Sequence, residues 1–229
     1  MKVTLLRHTA DPLQLTEYAA SVCYDSEPTE DGKITKACFL SGHESVLEHV
    51  SFTWEIEGIS RACMAQLTRS RIASFSVQSQ RYVDQKNSQM VIPEAIAPNQ
   101  EAMSVYMNAL ATVINAYDEL IELGIPKEDA RFILPNATTT KLVCTMNLRE
   151  FIHFCNLRLC RRAQWEIRRM CQMMVDAVNE VTDSVFATML TPICERNPEY
   201  PFCPESGHNT CGLHPTLSEI YNPNVAKNG

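Results

Sequence analysis

Residues 69 to 81 read Arg69-Ser70-Arg71-Ile72-Ala73-Ser74-Phe75-Ser76-Val77-Gln78-Ser79-Gln80-Arg81, arginines interleaved with serine and glutamine. Arginine offers a planar fork of donors that grips phosphate or carboxylate through two bonds and keeps its charge at any physiological pH. Serine and glutamine add short neutral donors and acceptors that can read the edge of a polar ring. Such a mixture suits a nucleotide pocket, and the plainer alternative is a solvated polar loop.

The surrounding charge favours a focused anion site. The chain carries a formal charge of −7, which argues against a general nucleic-acid coat, because phosphate neutralisation dominates that affinity. Basic residues nevertheless cluster twice. Arg61, Arg69, Arg71, Arg81 and Lys86 face only Asp84 within residues 61 to 86. Arg149, Arg158, Arg161, Arg162, Arg168 and Arg169 face only Glu150 and Glu166 within residues 149 to 169. Two basic islands in an acidic chain focus their field on a small anion.

Other chemistries are less well supported. His43-Glu44 and His49 do not make the zinc-protease helix, whose histidines stand four apart. Cys194, Cys203, His208, Cys211 and His214 are zinc-ligand types, but they lack paired C-x-x-C knuckles, so the expectation is no metal. Neither G-x-G-x-x-G nor G-x-x-x-x-G-K-S/T occurs, so a bound nucleotide or flavin needs some other architecture. Ser79 has no His-Asp pair near it in sequence to activate it, which leaves it a binding rather than a nucleophilic role.

The elements that must position these residues follow from local patterns. Ser45 and Glu48 have the spacing of a capping box, predicting a short helix from about residue 45. Val50, Phe52, Trp54 and Ile56 alternate with polar residues, predicting a strand that ends at Gly58. Ser60 is a predicted N-cap for a helix through Leu67, followed by a loop and a strand resuming near Gln80 to Val83. Helical spacing runs from about Asn99 to Leu123 with Gly124 as a stop, and Pro126 opens a short helix through Leu134. Thr138 to Met146 reads as a strand. Asn147 and Glu150 open what is predicted to be the longest helix, with Leu157, Cys160, Gln164, Ile167, Cys171, Met174, Val178 and Val185 on one face. Six of the twelve prolines fall between Pro192 and Pro223, predicting an irregular tail.

With 229 residues, 45% hydrophobic and 21% charged, the chain suits an α+β fold: a single domain with an antiparallel-type sheet and long helices. The expected division is a catalytic domain over residues 1–190 and a Pro-rich extension over 191–229. No apolar run spans a bilayer, the run before Arg7 is too short for a secretory signal, and ten cysteines in a chain of this size read as reduced thiols. The expected compartment is the cytoplasm.

The pattern Arg69-x-Arg71-x-x-Ser74-x-x-x-x-Ser79-x-Arg81 resembles the R-H-R-x-x-S-x-x-x-x-S-x-R signature of the flavin-dependent thymidylate synthases. Further blocks resemble that family in the same order. His43-Glu44-Ser45 through Glu48-His49 is similar to its H-E-x-x-x-E-H segment, and Ile125-Pro126, Ala130-Arg131 and Leu134-Pro135 to its middle block. Asn147-Leu148-Arg149, His153, Asn156-Leu157-Arg158 and Ala163 to Arg168 resemble its C-terminal block, so the likeness covers roughly residues 15 to 175. Ser70 stands where the family has histidine, and Val77 where it commonly has Glu or Gln.

The resemblance implies formation of dTMP from dUMP, with a one-carbon unit from methylenetetrahydrofolate and reducing equivalents from NADPH through bound FAD. It implies a homotetramer with shared active sites, no nucleic-acid partner and no membrane. By position, FAD falls to His43, Ser45, Arg69, Ser70, Arg71, Val77, Asn147, Leu148, Arg149 and His153. The pyrimidine nucleotide falls to Gln66, Leu67, Thr68, Arg69, Val77, Gln78, Ser79, Gln80, Arg81, Arg131 and Arg158. Arg158 is the implied catalytic residue, stabilising negative charge on the uracil ring. A non-catalytic nucleotide- or RNA-binding protein using the same arginines is the alternative.

Overall fold

Along Phe52, Trp54 and Ile56 every second side chain is fully buried, as the alternation predicts. The computed structural model describes residues 1–197, 199–205 and 209–221. In chain order its elements are β1 (Lys2–His8), α1 (Pro12–Val22), α2 (Lys33–Leu40), β2 (Ser51–Ser60), α3 (Arg61–Leu67), β3 (Ala73–Val77), α4 (Gln100–Glu122), α5 (Lys127–Ala130), β4 (Thr139–Asn147), α6 (Leu148–Arg158), α7 (Trp165–Val181) and α8 (Leu217–Tyr221). Short 3-10 turns occupy Glu44–His49, Arg131–Ile133 and Ile193–Glu195.

The strands form one sheet in the order β1-β2-β4-β3. Side chains fix an antiparallel register between β2 and β4. The Thr53 and Thr145 hydroxyls meet at 2.9 Å, while Lys141 reaches Glu57 at 3.0 Å and Glu55 at 2.7 Å. On β4, Leu142, Cys144 and Met146 are buried, so the strand repeats the alternation of β2. A one-residue slip would turn either apolar set to solvent. The strand β2 does not stop at Gly58. That residue has φ +73 and an added Cβ would lie 3.2 Å from the Met1 nitrogen, so glycine lets the strand bend there and continue to Ser60.

The chain forms two compact units. One comprises Met1–Lys2, Glu55–Arg69 and Phe75–Cys144. Its helix α3 is capped as predicted, the Ser60 hydroxyl accepting the Cys63 N–H at 3.0 Å. Its helix α4 begins where the Asn99 side chain accepts the Ala102 N–H at 3.0 Å. The other comprises Val3–Trp54, Ser70–Ser74 and the described residues from Thr145 onward. There Phe52, Trp54 and Phe151 form an aromatic cluster with centroids 4.8 to 6.2 Å apart. The helices α6 and α7 meet at Cys155 and Cys171, whose sulfurs lie 3.8 Å apart.

Several local expectations are corrected. The segment at Ser45 is a 3-10 turn beginning at Glu44, and its N-cap His43 makes no side-chain cap bond. A strand forms inside the arginine-serine segment, at Ala73–Val77, whereas Gln80 to Val83 are turn and bend. Next to the strand, the Gln78 N–H pairs with the Lys141 carbonyl at 2.8 Å. The predicted longest helix is two, α6 and α7, and α4 at 23 residues is longer than either. At the break the Gln164 side chain caps α7, accepting the Glu166 and Ile167 N–H groups at 3.0 and 3.1 Å. Like charges at helical spacing, Arg158 with Arg161 and Arg162, oppose a continuous helix. Among the described residues no helix is long and apolar enough to cross a membrane.

Candidate functional site

In the first unit the predicted nucleotide residues Val77 to Arg81 form the end of β3 and the turn that follows it. Val77 ends the strand, half-buried. Ser79 braces the turn, its hydroxyl accepting the Arg81 N–H at 3.1 Å. Arg81 pairs with Glu128 at 2.5 Å and its guanidinium lies 5.3 Å from the Tyr82 ring centroid. Arg131 is half-buried and donates Nε to the Glu128 carbonyl at 3.1 Å. Gln66, half-buried, is on α3, with Thr68 and Arg69 exposed just beyond its end. Leu67 is fully buried, so its side chain serves the core.

Arg61, to which the sequence assigned no role, joins this group. It donates to the Gln78 carbonyl at 2.9 Å, yet its buried Nε has no hydrogen-bond partner among the described residues. Burial, then the nearby Arg131 charge, lowers its pKa from the ordinary arginine value. The buried Gln80 amide nitrogen also lacks a partner. Unsatisfied buried donors beside mutually repelling guanidinium groups are stabilised by an incoming anion. Clustering of basic residues in sequence was the only signal for Arg61.

In the second unit a cavity of about 450 Å³ brings together Asn147, Arg149 and His153 of the predicted cofactor set. The Asn147 side chain caps α6 as predicted, accepting the Glu150 N–H at 2.8 Å. One turn of helix then sets Arg149 and His153 on one side of α6. Arg149 is held by Glu48 at 2.5 Å and Glu44 at 3.4 Å, and the Glu48 bond, with help from Glu44, holds its pKa above the ordinary value. Both carboxylates belong to the quoted histidine-glutamate block, although neither was singled out as a site residue.

Arg196 also lines this cavity, and nothing in the sequence marked it. Its guanidinium lies 5.1 Å from the Phe39 ring centroid, and its buried Nε has no partner among the described residues. Ile72 is part of the same wall, placing the bend after Ser70 and the exposed Arg71 beside it. His43 and Ser45 are exposed on the adjoining 3-10 segment and do not line the cavity. Leu148 is fully buried and its N–H goes to the Val50 carbonyl at 2.8 Å, so it offers a ligand no side chain.

Arg158 is the last residue of α6, half-buried, where the helix dipole favours a cation. It lines a second cavity of about 290 Å³ with Arg161, Arg162 and residues of the tail. Asn156 borders both cavities and ties the tail to α6, its side-chain oxygen accepting the Ile193 N–H at 2.8 Å.

Comparison with known proteins gives these groups a context. Residues 4–182 match the family model described as Thymidylate synthase complementing protein. The chain is 44% identical to the flavin-dependent thymidylate synthase of Geobacter sulfurreducens over 96% of its own length and 98% of that protein's. It is 43% identical to that of Pyrococcus abyssi over 90% of each. Among solved structures, Thymidylate Synthase X from Helicobacter pylori with FAD and dUMP matches with a TM-score of 0.69 at 24% identity, covering 83% of this chain and 99% of that one. The UMP/dUMP methylase PolB from Streptomyces cacaoi, bound with 5-Br dUMP, matches with a TM-score of 0.71 at 24% identity, covering 81% and 94%. The chain belongs to the flavin-dependent thymidylate synthase family, and both solved structures have its fold.

Proposed function

We propose that this protein converts dUMP to dTMP by reductive methylation, using methylenetetrahydrofolate, NADPH and FAD. The observation that carries this reading is the arginine-serine block, kept in a chain so similar to flavin-dependent thymidylate synthases over nearly its whole length. The orphaned donors at Arg61 and Gln80 fit the nucleotide phosphate, with Arg81 and Arg131 beside them. Arg149, His153 and Arg196 fit an anionic cofactor, and the unpartnered Arg196 Nε is a donor that a pyrophosphate oxygen would satisfy. FAD, when bound, supplies the redox chemistry that these side chains cannot.

The protein's own task is to bind, orient and polarise. Arg158, fixed at the end of α6, holds the negative charge that develops on the uracil ring when its carbon is activated, without a covalent thiol. Glu44 and Glu48 keep Arg149 in one orientation until an anion takes over its fork. The assembly is a cytoplasmic homotetramer whose active sites draw residues from more than one subunit, with residues 191–229 as an extension of the catalytic domain.

Purified protein is expected to be yellow and to form dTMP from dUMP when given the folate and NADPH. Arg158→Ala should keep its flavin absorbance while kcat falls by about 10²–10³-fold. A colourless protein that neither takes up FAD nor turns over would overturn the reading. Near-normal turnover of Arg158→Ala would remove that residue from the mechanism.

A further inference from the structure

The cavity beside Arg158 has a wall that the nucleotide reading does not use. Cys160, Cys194, Cys203, Cys211 and His214 all line it, although they are up to 54 residues apart in sequence and lack any paired-cysteine motif. The Cys194 sulfur, a His214 ring nitrogen and a Glu195 carboxylate oxygen lie within 4.8 Å of one another. The His214 Nε2 is buried and has no hydrogen-bond partner among the described residues. Every one of these cysteines is a free thiol.

We propose that this wall is a structural zinc site in which Cys160, Cys194, Cys203 and His214 are the ligands. Each donor is positioned by backbone. Cys194 is on the 3-10 turn anchored to α6 through Asn156. Cys160 follows the end of α6. Cys203 is bound beside His214, its N–H meeting the Pro215 carbonyl at 2.8 Å while the residue bridges to Thr216. The tail is further tied down where Arg162 donates to the Asn209 carbonyl. His208 lies outside the described residues.

Thiolate and imidazole donors select zinc over calcium or magnesium, which require oxygen ligands. Tetrahedral zinc with Zn–S near 2.3 Å sets its ligands about 3.8 Å apart. The Cys194 and His214 donors, already within 4.8 Å of each other, therefore have to approach by at most about 1 Å, and Cys160 and Cys203 close on them from the same cavity wall. Four protein ligands leave no open position, which makes the site structural rather than catalytic. Three thiolates and one imidazole around a divalent ion carry one net negative charge, and Arg158, Arg161 and Arg162 on the same cavity offset it. Burial, then Glu195, Cys160 and Cys203, pushes the Cys194 thiol up to about 11, so zinc must displace its proton. Glu195 is exposed and retains its hydration. The site would pin Cys194, Cys203 and His214 to the end of α6 and stiffen the wall beside Arg158.

The test uses the full chain, freed of any metal-binding tag. Elemental analysis is expected to give one zinc per chain. After chelation, added cobalt(II) is expected to develop the thiolate charge-transfer band and the strong visible bands of a tetrahedral site. Cys194→Ser and His214→Ala should each weaken cobalt affinity by about 100-fold or more, while Cys23→Ser, at an exposed thiol on another element, binds as the parent does. Should either tail variant fail to fold, thiol titration of the parent decides: chelation should expose three further reactive thiols. Less than about a tenth of an equivalent of zinc at micromolar free metal, far weaker than a structural site, would overturn the proposal. So would tail variants that bind cobalt like the parent, or thiols lost to disulfide. Flavin absorbance read in the same samples separates this outcome from failure of the enzymatic reading.

Discussion

Asn147 should be more valuable to the protein as a helix cap than as a cofactor ligand, and substitution can separate the two roles. Its side-chain oxygen accepts the Glu150 N–H at 2.8 Å and opens α6, the helix that carries Arg149, His153 and Arg158. Asn147→Ala removes the cap and leaves a donor on the 7% exposed Glu150 without its partner. The combined cost is about 1–2 kcal/mol, which for a chain of this size lowers Tm by about 2–8 °C. Asn147→Asp keeps an acceptor at the same atom and adds a charge that suits a helix N-terminus. It also deletes the amide donors and sets a carboxylate beside the cavity of Arg149. Flavin-free samples melted in parallel should therefore rank parent and Asp variant together, with Ala below both. Flavin titration followed by fluorescence should show weaker FAD binding in both variants. If Asn147→Asp loses as much stability as Asn147→Ala, the capping argument is wrong. If it binds FAD like the parent, Asn147 leaves the cofactor set.

Two further outcomes are expected. Ser70→His restores an aromatic ring beside the wall formed by Ile72 and Arg149, and should tighten FAD by about 2–10-fold through stacking; an unchanged dissociation constant would show that the ring is not needed. The Glu17 carboxyl is buried, which opposes its charge, but hydrogen bonds from the Thr29 hydroxyl at 2.6 Å and the Thr35 N–H at 2.7 Å outweigh burial and lower its pKa from 4.5. Its contribution to stability is thus complete above the unfolded value and disappears as pH falls through the folded one. The stability gap between parent and Glu17→Gln should shrink as pH falls below about 4.5, and a gap independent of pH would contradict this.

Residues 50–60 show how much a local pattern conveys. Alternation of Phe52, Trp54 and Ile56 with polar neighbours fixes which side chains are buried in β2, because successive side chains of a strand point to opposite faces. Ser60 and Asn147 announce their helices because a cap bonds to an N–H only three residues on. The ordered arginine, serine and histidine blocks identified the family, since the residue types themselves carry the chemistry of anion recognition. In each case the decisive partner lies within a few positions, or the signal is the residue type.

Where the deciding partner is remote, the sequence was silent or misleading. Ala73–Val77 became a strand through pairing in a sheet with β4, more than sixty residues away, and the segment alone reads as a polar loop. The unbroken apolar stripe past residue 158 suggested one helix, yet Gln164 caps a new one after a cluster of like charges. Arg61 and Arg196 acquired meaning only when folding buried a donor of each without a partner. Cys160, Cys194, Cys203 and His214 carry no motif, and only tertiary structure gathers them on one cavity wall. Residue type and local spacing determined the family and most elements; long-range pairing and burial decided which side chains meet, because those depend on contacts between segments that no local window contains.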